Sequence, residues 1–290
     1  MDIGLTLPWW SRADRRTMLE WCRRIDDGPF SSLAAGDRIA YSGHDLMTLL
    51  TFAAAVTERV RIMAAVVVAP AADPVRIAKQ SASIDVLSDG RFTLGVGVGG
   101  REEDYRIVGA PFAGRFARLD EQVAVMRQVW AGDEILPSVP PVGPTPFQQG
   151  GPPVLTAAMG PKSLARSARW ADGVAGFDLA PDPDQVGSFF GQVTEAWRAA
   201  GRDRSPRLTT SSFFALGSGA RDRLLGYVSG YLSNFGEDAA AAMAGLARLH
   251  DPGALRETIS ALADLGCDEL VFAPTTDDPT EVDRLVAALG

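Results

Sequence analysis

Residues 74–97 read PVRIAKQSASIDVLSDGRFTLGVG, and this stretch contains one complete step of the fold. Pro74 to about Leu87 has the composition and spacing of a helix, with a proline in the first turn, where its missing N–H is tolerated. Asp89-Gly90 is a turn signal, and Phe92–Val96 is a short apolar strand. A valine-rich strand, Arg61–Val68, precedes the helix. The stretch therefore predicts a strand–helix–strand unit with two parallel strands.

The same alternation continues in both directions along the chain. Apolar strands that are each followed by an amphipathic helix indicate a parallel sheet covered by helices. The eight strands are predicted at Ile3–Leu7, Phe30–Ala34, Arg61–Val68, Phe92–Val96, Pro153–Ala157, Gly173–Phe177, Leu208–Leu216 and Glu269–Phe272. Eight units favour an α/β fold of the closed (β/α)8 type, the TIM barrel, over an open sheet. Because both halves are needed to complete the barrel, we expect a single domain over residues 1–290.

Three insertions interrupt this alternation. Gly97–Arg118 is a long glycine-rich segment after strand four, and Leu136–Pro153 is a proline-rich segment before strand five. Two or three helices between Arg221 and Leu265 follow strand seven. Long loops in a compact barrel commonly serve as lids or substrate walls, so we expect these insertions to border the site.

Composition excludes several classes of function. The formal net charge is −8 and the basic residues are scattered, which argues against a nucleic acid or an anionic membrane as partner. No apolar run is long enough to cross a bilayer and the start carries no basic leader, so a cytoplasmic location is expected. Cys22 and Cys267 suit buried free thiols in a reducing compartment. The only histidines, His44 and His250, give no metal-site spacing, so no metal is expected.

The active site of a barrel of this kind is built at the carboxyl ends of its strands. At the end of strand four, Gly95, Gly97 and Gly100 satisfy a GxGxxG pattern. A dinucleotide fingerprint requires a helix that opens directly on these glycines, whereas the clear helical pattern begins only near Leu119. We interpret the small residues instead as a place where a flat ring can approach the backbone.

The end of strand five carries the second signal. Ala158–Leu164 reads AMGPKSL, in which a strand end, a glycine and a proline lead into a helix. Free N–H groups and the helix dipole at such a start can bind an anion, with Ser163 and Lys162 contributing. The same pattern also describes an ordinary helix start. Within the barrel we favour a phosphate site.

Other strand ends supply aromatic and charged candidates. Trp9 and Trp10 follow strand one and could stack on a planar ligand, cap the barrel bottom or pack on the last helix. Phe177 and Phe213 lie at later strand ends and could extend an apolar substrate pocket. After strand two, Asp37-Arg38 is the candidate catalytic pair, with an alternative in which Arg38 only pairs structurally with Asp37. No Ser/His/Asp arrangement can be assembled from the strand ends, which disfavours hydrolysis.

Jointly, several motifs resemble one known family. Residues 84–97, IDVLSDGRFTLGVG, are similar to the signature LD.LS.GR..LGVG of the bacterial luciferase-like monooxygenases, which are flavin- or F-420-dependent oxidoreductases. The further matches are Gly109–Phe112 with Arg115, Asp120-Glu121 opening a helix that ends at Trp130, Thr57–Arg61 and Ala171–Val174. The resemblance covers roughly residues 1 to 180, and the remainder matches only in rhythm.

The resemblance implies a barrel, usually dimeric, that uses reduced FMN or the deazaflavin coenzyme F-420. It assigns Gly160, Pro161, Lys162 and Ser163, after Met159, to the cofactor phosphate. It assigns Val66 and Val67 to a bulge in strand three that supports the cofactor ring, with a cis peptide between them. It places Gly97, Val98 and Gly99 near the edge of the ring.

The chain also departs from part of this family. Many deazaflavin-dependent dehydrogenases carry Asp-His after strand two and a Glu soon after the glycine-rich strand end, where this chain has Asp37-Arg38 and Gly99-Gly100. We therefore favour a monooxygenase that oxidises a small organic substrate with oxygen and reduced flavin supplied by a separate reductase. The alternatives are an F-420-dependent reductase that transfers hydride to an unsaturated or imine substrate, and a flavin-binding protein without turnover.

Overall fold

The computed structural model describes all residues, 1–290, and its strands form one closed parallel barrel in the order β1 to β8. The prediction of a (β/α)8 barrel is confirmed. The strands are β1 (Asp2–Thr6), β2 (Ser32–Ala35), β3 (Arg61–Val68), β4 (Phe92–Gly97), β5 (Val154–Thr156), β6 (Gly173–Ala175), β7 (Arg207–Phe214) and β8 (Glu269–Pro274).

Eleven α-helices surround the barrel. They are α1 (Arg15–Asp27), α2 (Leu46–Val56), α3 (Pro74–Leu87), α4 (Glu102–Ile107), α5 (Arg115–Ala131), α6 (Pro161–Ser167), α7 (Pro183–Ala199), α8 (Ala220–Tyr231), α9 (Glu237–Ala244), α10 (Pro252–Asp264) and α11 (Thr280–Leu289). Short 3-10 turns occur at Ala69–Ala71 and Ser233–Phe235. No helix combines the length and the apolar character that a membrane crossing requires.

Local sequence accounts for where many of these helices begin. Five of them follow an aspartate whose carboxylate accepts a hydrogen bond from a backbone N–H in the first turn. These aspartates are Asp14, Asp45, Asp73, Asp182 and Asp251. The helix α3 adds a proline at its first position, as the quoted stretch predicts.

The insertion after β4 contains more regular structure than its composition suggests, whereas the other two match their predicted character. The segment after β4 includes α4, and α5 begins at Arg115, one turn before the predicted start near Leu119. Residues 132–153, between α5 and β5, form neither helix nor strand. Between β7 and β8 lie α8, α9 and α10.

The core lies between the barrel and its helices. The largest fully buried side chains there include Trp21, Trp197, Phe30, Phe92 and Phe272. Inside the barrel, four residues from different strands form a small apolar cluster: Ala34, Met63, Leu155 and Val271. This cluster fills part of the barrel interior, which in barrels of this kind is a packed core rather than a pore.

Polar contacts at the amino end join the start of β2 to β7 and β8, across β1. The Glu269 side chain is buried, and its Oε1 accepts hydrogen bonds of 2.6 Å from the hydroxyls of both Ser31 and Ser32. Its Oε2 accepts a 3.0 Å bond from the Arg207 guanidinium. A Cβ at Gly4 would lie 2.3 Å from the Ser32 hydroxyl oxygen, so only glycine fits beside this group.

Candidate active site at the carboxyl ends of the strands

A cavity of about 520 Å³ opens at the carboxyl ends of the strands, in the size range of small-molecule sites. Residues within β3 to β8 and in the segments after β1, β2, β4, β5, β6 and β7 contribute to the lining. No residue of 136–153 lines the cavity, so the prediction that this insertion borders the site is wrong. Ten of the predicted site residues line it: Trp9, Asp37, Arg38, Val66, Gly97, Val98, Gly99, Met159, Ser163 and Phe177. The other six predicted residues lie outside the lining: Trp10, Val67, Gly160, Pro161, Lys162 and Phe213.

The aliphatic side of the cavity is built where β3 meets β4. The register of this pair shifts between Ala64 and Val67, so β3 bulges there and turns Val66 toward the cavity. A Cβ at Gly97 would lie 2.8 Å from the Val66 Cγ2, which explains the glycine by packing inside the protein. Val67, one residue on, is buried in the core.

The cis peptide lies in this bulge but not where we predicted it. The non-proline cis bond joins Ala65 to Val66, whereas the resemblance placed it between Val66 and Val67, so that prediction is wrong by one residue. The register explains the offset: Val67 already pairs with Val96, and the irregular part of the strand is Ala65-Val66.

Asp37 follows β2 and faces the cavity. Its Oδ2 accepts a 2.9 Å hydrogen bond from the Val68 N–H. Burial raises the pKa of this carboxyl from 3.8 to about 6, although the Val68 bond and the charge of Arg38 act in the opposite direction. A carboxyl with such a pKa can both accept and release a proton near neutral pH, so Asp37 is the best-placed acid–base group of the site.

Arg38 forms an ion pair, but its partner is not Asp37. Its Nε donates a 3.0 Å hydrogen bond to Oδ2 of Asp104 on α4, and Glu103 lies 3.6 Å away. The Asp104 side chain is only 4% exposed and also accepts a 2.7 Å bond from the Ala40 N–H. The sequence alternative that paired Arg38 with Asp37 is therefore incorrect. The Arg38–Asp104 ion pair instead ties the loop after β2 to α4.

The start of α6 forms another side of the cavity. Met159 and Ser163 line it, and the Ser163 hydroxyl donates a 2.9 Å hydrogen bond to the Gly160 carbonyl. Lys162 is exposed and outside the lining. Arg166, one turn further along, lines the cavity and pairs at 2.5 Å with Asp120 of α5. The cation nearest to the cavity on this helix is therefore Arg166 rather than Lys162.

Two further arginines line the cavity without a carboxylate partner, and sequence reasoning assigned neither a role. Arg115, at the start of α5, lies with its guanidinium carbon 3.7 Å from the centre of the Phe112 ring, and its buried Nε has no hydrogen-bond partner. Arg101 donates a 3.0 Å bond to the Asn234 side chain and also bonds the Tyr231 carbonyl. Arg115 belongs to one of the motifs that resemble the family, Gly109–Phe112 with Arg115, and this match was the sequence signal that could have indicated a role for it.

The aromatic candidates divide between the cavity surface and the layer behind it. Trp9 and Phe177 line the cavity, together with Tyr231 of α8. Phe213 packs behind Phe177 with ring centres 5.0 Å apart, and Trp10 packs on Tyr227 at 4.7 Å. The tryptophans therefore lie at the carboxyl end of the barrel, which excludes the alternative that they cap its bottom.

Histidine, thiol and metal chemistry have no support in this cavity. Neither histidine lines it, and the His44 Nε2 lies 2.9 Å from the Ala13 carbonyl. Cys22 and Cys267 are buried free thiols, and burial raises their pKa values to about 12 and about 11, which keeps them protonated. No cluster of potential metal ligands is present.

The fold and the cavity together define a (β/α)8-barrel protein with a small-molecule site at the carboxyl ends of its strands, where barrels of this kind carry their active sites. The chain belongs to the luciferase-like monooxygenase family, whose sequence model matches residues 2–275. It is accordingly a member of an oxidoreductase family with F-420-dependent and flavin-dependent relatives.

Individual relatives are distant. A Mycobacterium tuberculosis protein named as an inferred coenzyme F-420-dependent oxidoreductase is 26% identical over 223 residues, 71% of this chain and 63% of the relative. The oxygenase component of a flavin-dependent trigonelline monooxygenase from Acinetobacter baylyi is 27% identical over 158 residues, 50% of this chain and 44% of the relative. The matches thus span less than two thirds of these curated relatives. The solved structure of monooxygenase RslO1 from Streptomyces bottropensis has a TM-score of 0.78 at 21% identity, covering 100% of this chain and 98% of that chain, which shows the fold alone.

Proposed function

We propose that this protein is a monooxygenase that uses reduced FMN to oxidise a small organic substrate with oxygen. The observation that carries the proposal is the makeup of the cavity beside β3 to β5. Its lining there consists mainly of apolar side chains and glycines, apart from Thr156 of β5 and Arg101 after β4, and Asp37 is the one carboxyl of the cavity that forms no ion pair. Histidine is absent from the lining, which disfavours the acid–base pair that a deazaflavin dehydrogenase would use.

The residues present fit a flat cofactor that carries a phosphate. Val66 and Val98 offer an aliphatic surface to a ring beside the glycines at the end of β4. Ser163 and Arg166 of α6 face Arg115 of α5 within the same cavity lining, and Arg115 has no anionic partner inside the protein. The Arg115 guanidinium donates a 3.4 Å hydrogen bond to the Phe112 carbonyl but forms no ion pair, so its remaining N–H groups can donate to a ligand acceptor such as a phosphate.

When bound, reduced flavin would supply the electrons, and the protein would contribute binding, orientation and exclusion of water. The aliphatic side chains around Val66 and Val98 would keep water from the reacting atoms. Asp37 would hold or release one proton at its Oδ1, since Oδ2 accepts the Val68 N–H. Arg38 would act through position only, by fixing α4 against the loop after β2.

The proposal extends to the partners of the reaction. One relative is named as an oxygenase component, which supports a separate reductase that delivers the reduced cofactor. The family resemblance supports a homodimer, and the composition supports a cytoplasmic location. Light scattering, which measures the oligomeric state in solution, tests whether the protein is a homodimer.

A second function has one specific observation in its favour. Transfer of hydride from reduced F-420 to a carbonyl or imine requires a proton for the heteroatom. Asp37, with a pKa near 6 and its Oδ1 free of hydrogen bonds from the protein, can donate that proton. A reductase of this kind needs no histidine when a carboxyl donates the proton. Asp37 therefore supports an F-420-dependent reductase as the second candidate function.

Binding and reoxidation experiments separate the two functions. We expect reduced FMN to bind anaerobically in calorimetry, and its reoxidation on admission of oxygen to differ in rate from that of free reduced FMN. Asp27→Asn, on an exposed carboxyl of α1 outside the cavity, is the control for binding. The reductase candidate replaces the monooxygenase if reduced F-420 binds at least tenfold more tightly and the protein leaves FMN reoxidation unchanged.

A further inference from the structure

The cavity has two chemically different halves. Val66, Val68 and Val98 give an aliphatic surface on the side of β3 and β4. Trp9, Phe177 and Tyr231, which follow β1, β6 and β7, give an aromatic surface on the side of those strands, and two further aromatic lining residues, Phe116 and Trp170, lie near the proposed phosphate site. The aliphatic half is the one assigned above to the cofactor ring, so the aromatic half is left to the second reactant.

The aromatic half is backed by a connected set of rings, here called the aromatic wall: Trp10, Phe177, Phe213, Tyr227 and Tyr231. Phe213 is its centre and contacts Phe177, Tyr227 and Tyr231 edge to face, with ring centres 5.0 to 5.2 Å apart. Tyr227 and Tyr231 lie nearly parallel at 13°. Each ring is thus held by another ring, and the orientation of the wall is fixed before a ligand binds.

Phe177 is the most exposed member of the wall. Its side chain is 38% exposed although it lines the cavity, while Phe213 behind it is buried. The edge-to-face contact with Phe213 leaves the rest of the Phe177 ring toward the cavity. A rigid aromatic surface that faces a small-molecule cavity binds a flat apolar ligand with little loss of side-chain entropy.

The positive charges beside the aromatic rings limit the charge of the ligand that can bind there. The Arg101 guanidinium lies 4.8 Å from the centre of the Tyr231 ring and forms no ion pair. On the neighbouring loop, Arg38 lies 5.2 Å from the Tyr41 ring, although Asp104 neutralises it. A free cation already on the wall repels a second one, so the surface suits a neutral or anionic ring.

We propose that the substrate is a planar aromatic compound, neutral or anionic, that stacks on Phe177 as the specificity-determining residue, with Tyr231 beside it holding the aromatic wall in place. The proposal rests on the proposed function in one respect, since it takes the aliphatic half of the cavity as the place of the cofactor. It adds the substrate class, which neither the family nor the relatives' names assign to this chain.

Two probes of similar size test the stacking. We expect 2-naphthol to bind in calorimetry at least tenfold more tightly than its saturated analogue 2-decalol, both to the protein alone and with FMN present. Phe177→Leu should weaken 2-naphthol about 3- to 10-fold, the range of one aromatic pair, and leave 2-decalol unchanged. Tyr231→Leu should act in the same direction. Phe147→Leu, at an exposed phenylalanine outside the cavity, is the matched control and should change neither affinity.

Several results would overturn the proposal. They are equal affinities of the native protein for the two probes, no binding of either, equal weakening of both by Phe177→Leu, and loss of 2-naphthol binding when FMN is added. Tighter binding of 1-methylquinolinium than of 2-naphthol would contradict the charge argument. If Phe177→Leu weakens FMN instead, the residue belongs to the cofactor site. Selective 2-naphthol binding in a protein that binds no FMN would refute the proposed function and leave the aromatic site standing.

Discussion

Replacing Asp37 by asparagine should stabilise the protein at neutral pH and leave its stability nearly unchanged at about pH 4. Burial raises the pKa of this carboxyl from 3.8 to about 6, so the folded state holds the proton more tightly than the unfolded chain. As the pH rises through this interval, the unfolded chain ionises first, and the free energy of unfolding falls. The free energy of unfolding falls by about 1.4 kcal/mol for each pH unit between the two pKa values, so the total loss above pH 6 is at most about 3 kcal/mol. Asparagine does not ionise, so the variant does not lose this stability.

Urea unfolding of the native protein and of Asp37→Asn, at several pH values from about 4 to about 8, measures this difference. Asparagine can keep its Oδ1 as acceptor for the Val68 N–H, so the substitution removes the charge and retains the 2.9 Å hydrogen bond. Asp27→Asn, at an exposed position at the end of α1, is the control and should follow the native curve. The reasoning fails if the stability difference is independent of pH, or if the native protein is the more stable of the two at about pH 8.

Three other substitutions test separate features. Arg38→Met leaves the buried Asp104 without its cation and should lower the free energy of unfolding, measured in urea, by about 3–5 kcal/mol. Adding Asp104→Asn should restore part of this loss. If Arg38→Met costs no more stability than the loss of an exposed arginine, the ion pair is unimportant. Tyr227→Phe removes a buried hydroxyl that has no hydrogen-bond partner, so thermal unfolding should occur at the same or a higher temperature, and a lower one would reveal a partner. Ser163→Asp places a negative charge at the proposed phosphate site and should lower the affinity for FMN about tenfold or more, with little change in the affinity for riboflavin and an unchanged circular dichroism spectrum. Equal FMN affinity of the variant and the native protein would show that the phosphate does not bind at this turn.

The fold could be predicted from the sequence because its signal is local and repeated. In residues 74–97, a capped helix, a turn and an apolar strand lie within one short stretch, and the structure has α3 and β4 there. What the sequence missed was α4, a helix of six residues whose cap position makes no side-chain hydrogen bond. Its Asp104 is tied to Arg38 from a distant part of the chain, and this contact has no local pattern. The glycine-rich composition of residues 97–118 therefore indicated a loop.

The site could be predicted only as a set of strand ends. Topology alone places the residues after parallel strands at one end of a barrel, which is why Asp37, Val98 and Phe177 line one cavity. Which neighbour lines the cavity and which packs behind it depends on side-chain direction, and Val67 and Phe213 turned out to be buried. Arg115 and Arg166 could not be predicted in this way, because they lie on the helices α5 and α6 rather than at strand ends.

The polar group around Glu269 has a consequence for how the chain folds. Ser31 and Glu269 are 238 residues apart, so the carboxylate gains its two serine partners only when the two ends of the chain have met, whereas its third partner, Arg207, lies on the adjacent strand β7. Until that moment β1 and β8 are open sheet edges, and each can pair with the same strand of another molecule. Barrel closure is thus the most non-local step of folding, and refolding yield should fall with protein concentration, because intermolecular edge pairing competes with closure. A buried carboxylate at the end of the barrel remote from the cavity therefore gives the correct closed register an advantage over open, aggregation-prone intermediates.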